Sequence, residues 1–96
     1  MPGKTYDGDA VEARIRSELP GWSFAEGHLT RTFKTGKWVN TQLLFNAIGY
    51  LAEKADHHPG IVASYGSLTV KIMTHSAGGI TGKDFDLAAK IDALTE

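Results

Sequence analysis

The sequence predicts an α+β domain in the order α-β-β-α-β-β-α: a four-stranded antiparallel sheet with three helices packed on one face. The chain has 96 residues, enough for one domain and too few for two. Two stretches, around Trp22–Phe33 and Ile61–Ile72, alternate apolar and polar residues on either side of a turn signal, as hairpins do. Three others place apolar residues four apart, as helices do.

Residues 1–8 are polar and contain Pro2, Gly3 and Gly8, so a flexible tail is expected there and a single domain over 9–96. Asp9 is placed to cap the first helix, with Glu12 completing a capping box. Val11, Ile15 and Leu19 form its apolar stripe, and Pro20-Gly21 ends it. Trp22 and Phe24 then alternate with Ser23 and Ala25, and Leu29 and Phe33 follow Glu26-Gly27, which gives the first hairpin.

The longest periodic stretch runs from about Lys37 to Asp56. Leu44, Ile48, Leu51 and Ala55 make one stripe, flanked by Trp38, Phe45 and Ala52. A helix apolar on more than one side is expected to meet both the core and another subunit. Pro59 stops it, leaving His57 near the helix C-terminus and His58 extended.

Ile61, Ala63 and Tyr65 precede Gly66-Ser67, and Leu68, Val70 and Ile72 follow, so a second hairpin with a type II′ turn is expected. His75 falls at the end of its last strand, and Gly78-Gly79 marks a loop. Thr81 and Asp84 fit the N-cap and N3 positions of a last helix, which reaches about Leu94 with Leu87, Ile91 and Leu94 on one face.

Bulk properties exclude several function classes. A net charge of −1 gives no electrostatic case for nucleic acid or an anionic membrane as partner. With no cysteine, disulfide frameworks, thiolate metal sites and cysteine nucleophiles are ruled out. The first residues lack the apolar core of a secretory signal, and no apolar run nears the roughly 18–20 residues of a membrane span, so a cytoplasmic setting is expected.

The chemistry lies with the histidines. Of the four, His57, His58 and His75 fall at element ends that the predicted order draws together, with Glu53 four residues before His57, and so on its helical face, and Asp84 after the glycine loop. Each has a plainer reading. His57 could answer the helix dipole, His58 could be a pre-proline loop residue, and His75 a solvated strand end. Asp84 could be only a capping carboxylate, and Glu53 a surface partner of a lysine. Their joint placement argues for function.

Neighbouring imidazoles titrate near neutral pH and suit acid–base catalysis. A His₃ zinc site is the second possibility, but adjacent histidines diverge and the His-Glu-x-x-His pattern is missing. A Ser-His-Asp set is weaker still, since Ser64, Ser67 and Ser76 lie in no Gly-x-Ser-x-Gly elbow.

The run Glu53-Lys54-Ala55-Asp56-His57-His58-Pro59, with Tyr65, Thr74-His75, Gly78-Gly79, Thr81, Asp84 and Leu87-Ala88 at their spacings, resembles the signature of the pterin-4a-carbinolamine dehydratases. Gly21-Trp22 and Phe33-Lys34 agree upstream, so the resemblance covers about Leu19 to Leu94. It implies dehydration of 4a-hydroxytetrahydropterin to the quinonoid dihydropterin, a step in recycling tetrahydropterin, with no metal and no cofactor. It places the catalytic histidines at His57, His58 and His75, supporting acids at Glu53, Asp56 and Asp84, and a pocket tryptophan at Trp22. Gly60 departs from the family pattern, where an acidic residue is common.

The resemblance also implies a homodimer or homotetramer. Some relatives serve as dimerisation cofactors of a transcription factor or accompany Rubisco assembly. A binding or assembly role through the helical face is therefore the alternative, and a metal-dependent hydrolase built on the same histidines is a further one.

Overall fold

The computed structural model describes residues 4–95 and has the predicted order of elements. Helix α1 (Gly8–Glu18) leads into β1 (Ser23–Ala25) and β2 (His28–Lys34). Helix α2 (Trp38–Ala55) leads into β3 (Gly60–Ser64) and β4 (Ser67–Ile72). A short 3-10 helix, His75–Ala77, precedes α3 (Gly82–Leu94). The strands pair antiparallel in the order β1-β2-β4-β3, so the second hairpin docks its later strand on β2.

Successive strand side chains alternate between the two faces of a sheet. The register sets Leu29 opposite Ile72, Arg31 opposite Val70 and Phe33 opposite Leu68 on one face. That face joins the core with Val11 and Ile15 of α1, Ile48 of α2, and Phe85, Leu87 and Ile91 of α3. The other face pairs Thr30 with Lys71 and Thr32 with Thr69, whose hydroxyls lie 2.8 Å apart. This face is turned to solvent, where Thr32, Lys71 and also Val62 are exposed.

Helix α1 starts earlier than its sequence suggests. The cap is Asp7, whose carboxylate accepts from Ala10 N at 2.9 Å; Asp9 lies inside the first turn. The entry is fixed from outside the helix. Tyr6 N donates to Ile80 O at 2.9 Å, and the Tyr6 ring meets the edge of Phe85 at 5.1 Å. Of the expected tail, residues 1–3 lie outside the described residues, while Tyr6 and Asp7 are tied to α3 and α1.

The two hairpins turn differently. Glu26 (φ 52) and Gly27 (φ 78) are both left-handed, the signature of a type I′ turn matched to strand twist. The second loop is Tyr65-Gly66 rather than Gly66-Ser67, and Gly66 is not among the described residues with positive φ, so the expected type II′ turn is not formed. Neighbouring chain sets that turn. Gly66 O accepts from Thr35 N at 2.9 Å and Gly36 N at 3.1 Å, and Tyr65 O accepts from the Thr41 hydroxyl at 3.1 Å.

Helix α2 has two apolar faces. Ile48 and Ala52 are buried, with Leu44 and Leu51 packed beside the core; Ala55 is exposed. Trp38, Val39, Leu43, Phe45 and Tyr50 keep about half or more of their surface in solvent. Full burial of one such side chain stabilises by about 1.5–3 kcal/mol. The inner face therefore anchors α2, and the outer face leaves that gain unrealised within one chain.

Candidate active site

The site forms where α2 ends and α3 begins. Asp56 closes α2 in the left-handed region (φ 50, ψ 44), and the His57 amide reaches back to Ala52 O at 3.1 Å. Glycine is usual in such a cap, and aspartate is one of the few residues that tolerate it. This turn takes His57 out of helical register. Its Nε2 lies 2.6 Å from Asp84 Oδ1, with the side chain 11% exposed.

Asp84 itself is fully buried at position N3 of α3. A carboxylate removed from water is tolerated only when hydrogen bonds replace its hydration. Here Oδ2 accepts from Thr81 N at 2.8 Å and from the Thr74 hydroxyl at 2.8 Å, while Oδ1 faces His57. Thr81 and Asp84 form a reciprocal capping box, side chain to backbone each way, and Thr81 Oγ1 also accepts from Lys83 N at 3.3 Å. An ionised carboxylate only accepts, so the proton of a neutral His57 sits on Nε2 and the lone pair on Nδ1.

The other expected site residues have partners of their own or stand exposed. Glu53 meets His58, not His57: Glu53 Oε2 lies 3.0 Å from His58 Nε2. The expectation that Glu53 shares a face with His57 fails because the left-handed Asp56 intervenes. Both members of the Glu53–His58 pair are solvent-exposed, and such pairs contribute little stability. Asp56 acts through its backbone angle, with its side chain exposed.

His75 is not at a strand end; it opens the 3-10 helix after β4 and is exposed, directly following the Thr74 that binds Asp84. Trp22 lies elsewhere. It is 3% exposed, its indole N–H donates to Asp92 Oδ1 at 2.8 Å, and its ring meets Phe33 edge-on. Asp92 is two turns beyond Asp84 on α3, about 12 Å along the axis. A buried indole N–H requires an acceptor, and Asp92 draws Trp22 into the core, where Arg31 Nη1 also binds the same oxygen at 2.7 Å. Gly21 makes room for that arrangement, since a Cβ there would stand 2.8 Å from the Arg31 guanidinium.

His57 borders a groove of about 210 Å³ lined also by Ala55, Lys83, Asp86, Leu87 and Lys90. Larger surface hollows, of about 500 Å³ beside Tyr6 and about 550 Å³ beside Arg31, contain no histidine. Among the described residues, no three His, Asp or Glu side chains are grouped to hold a metal ion. Two contributors escape sequence reasoning: the Thr74 hydroxyl as a ligand of Asp84, and the Arg31–Asp92–Trp22 cluster. Nothing local marks either, because both join residues distant in sequence.

Residues 4–94 match the family described as "Pterin 4 alpha carbinolamine dehydratase". The chain belongs to this family. A relative in Stenotrophomonas maltophilia is 38% identical over all of this chain and 87% of its own length. One in Aquifex aeolicus is 42% identical over 86% of this chain and 84% of its own. Each bears the name "Putative pterin-4-alpha-carbinolamine dehydratase". Among solved structures, a transcriptional coactivator/pterin dehydratase from Brucella melitensis superposes with a TM-score of 0.88 at 27% identity, covering 97% of this chain and 100% of that one. A pterin dehydratase-like protein described as a RuBisCO assembly factor of the alpha-carboxysome shares the fold, with a TM-score of 0.62 at 22% identity over 76% of this chain and 84% of its own. No helix among the described residues is long and apolar enough to cross a membrane.

Proposed function

We propose that this chain dehydrates 4a-hydroxytetrahydropterin to quinonoid dihydropterin in tetrahydropterin recycling in the cytoplasm. The observation that carries the reading is the buried Asp84 holding His57 at 2.6 Å, within a family of pterin dehydratases. The reaction breaks the C4a–O bond. One proton reaches the departing hydroxyl, one leaves N5, and a C4a–N5 double bond forms with release of water. His57 and His75 exchange those protons, His57 through Nδ1. His58, oriented by Glu53, binds or polarises the pterin, and Asp56 sets the turn that presents both adjacent histidines. No redox step enters, so the chemistry calls for no cofactor.

The test is a dehydration assay on chemically generated 4a-hydroxytetrahydropterin, followed by ultraviolet absorbance. Wild type accelerates the reaction, and His57→Ala or His75→Ala lowers turnover by about 10²–10⁴-fold, the usual contribution of one acid–base group. Unchanged turnover in both variants removes the assignment. No acceleration by folded wild type removes the function.

A second reading is favoured by the outer face of α2, where Trp38, Val39, Leu43, Phe45 and Tyr50 are exposed. In it, this face joins copies of the chain into a homodimer or homotetramer, or docks a partner protein in a binding or assembly role. Light scattering separates the cases: Leu43→Glu reduces an assembled wild type to monomer, and a monomeric wild type leaves the face to a different partner.

A further inference from the structure

The hydrogen bonds behind Asp84 form a chain with one possible direction. Lys83 N–H, a backbone donor, points at Thr81 Oγ1 at 3.3 Å. Thr81 Oγ1 and Thr74 Oγ1 lie 2.9 Å apart, and both residues are buried. Thr74 Oγ1 in turn lies 2.8 Å from Asp84 Oδ2. A hydroxyl has one proton to donate, and an ionised carboxylate has none. Thr74 therefore donates to Asp84, which obliges Thr81 to donate to Thr74 while accepting from Lys83 N–H. The order runs from the first turn of α3 to the carboxylate, and each bond polarises the next.

We infer that Thr74 is a positioning residue, whose hydroxyl fixes the Asp84 carboxylate so that Oδ1 alone serves His57 and holds that ring in one orientation. Without the hydroxyl, Oδ2 keeps only Thr81 N–H as a donor. The carboxylate then turns about its last bond, since that torsion is broad and close to two-fold. Both oxygens become available to the ring, the 2.6 Å contact loses its fixed direction, and Nδ1 is no longer aimed by it. Thr74 touches no part of the groove beside His57, so it acts through Asp84.

The experiment uses the full chain, with ¹⁵N-labelled histidine, as Thr74→Val, Thr74→Ala and Thr74→Ser beside wild type. NMR spectra of the ring N–H groups read the tautomer of His57 and the line width and exchange rate of its Nε2–H without substrate, and dehydration kinetics read kcat and KM separately. The kinetic arm rests on the dehydratase reading. The spectroscopic arm does not, so a chain that turns over no pterin still decides this inference.

Wild type and Thr74→Ser should show a protonated Nε2 and a bare Nδ1. Thr74→Val and Thr74→Ala should keep that tautomer, because either carboxylate oxygen only accepts, but show a broadened Nε2–H resonance that exchanges with water faster than in wild type, with kcat lowered by about tenfold to a hundredfold, as expected when a catalytic group is slightly misplaced, and KM unchanged. An Nε2–H resonance as sharp and as slow to exchange in Thr74→Val or Thr74→Ala as in wild type overturns the inference. So does a Thr74→Ser protein as defective as Thr74→Val, because shape would then matter and the hydroxyl would not. If neither Thr74→Val nor Thr74→Ala folds, the hydroxyl belongs to the fold, which also overturns it.

Discussion

Replacing Asp84 by asparagine keeps the shape of the buried side chain and removes its charge. Three donors converge on the two oxygens: Thr81 N–H and Thr74 Oγ1 on Oδ2, His57 Nε2 on Oδ1. An amide has one oxygen. If it stays where two donors meet, its NH₂ faces His57, and Nε2 must become the acceptor. The tautomer inverts, and the proton moves to Nδ1, the atom proposed to exchange protons with the pterin. Loss of a hydrogen bond to a charged group costs about 2 kcal/mol, offset in part by the new amide bond. For a domain of this size, that is roughly 8–16 °C of melting temperature at most. The kinetic cost is larger. An inverted tautomer behind a catalytic histidine lowers kcat by about 10⁴-fold in the serine-protease triad, and a loss of roughly 10²–10⁴-fold is expected here. The assay is pterin dehydration on material whose circular dichroism spectrum matches wild type. Wild-type turnover by a folded Asp84→Asn would refute the tautomer argument.

Two further predictions concern stability. Trp22→Phe removes the indole donor to Asp92 and should cost about 1–2 kcal/mol in denaturant unfolding, with turnover unchanged. Lost turnover at unaltered stability would instead put the indole against substrate. Glu26→Asn suits the left-handed first position of the type I′ turn better than glutamate, and should raise the unfolding free energy by about 0.5 kcal/mol. A lower midpoint would mean that the glutamate side chain stabilises the hairpin.

The order of elements was legible because each carries its own periodicity: Val11, Ile15 and Leu19 read as a helix, and Leu68, Val70 and Ile72 as a strand, without reference to anything else. The Thr81–Asp84 cap was legible for the same reason, being local. What escaped was decided at a distance. Asp7 caps α1 in place of Asp9 because Tyr6 is tied to Ile80 and Phe85. The second turn is set by Thr35, Gly36 and Thr41. Within the site, sequence spacing put Glu53 beside His57, and a single left-handed residue exchanged that partner for Asp84. Trp22 is similar in type to the family's pocket tryptophan, yet its core placement depends on Asp92, seventy residues away.

The sheet order has a consequence for how the chain folds. Strand β4 pairs with β2 from Leu29↔Ile72 to Lys34↔Ser67, so the whole of α2 and β3 must be closed into a loop before the central ladder forms. Loop closure is entropically unfavourable until the contacts it permits are made, and non-local pairing slows folding. Asp84 meets His57 across 27 positions, from a helix that follows β4 in the chain. The carboxylate that holds His57 therefore arrives only with α3, the last element in the chain. Recovery of the His57–Asp84 pair during refolding should lag behind the formation of helix, and it reports the arrival of the native state itself.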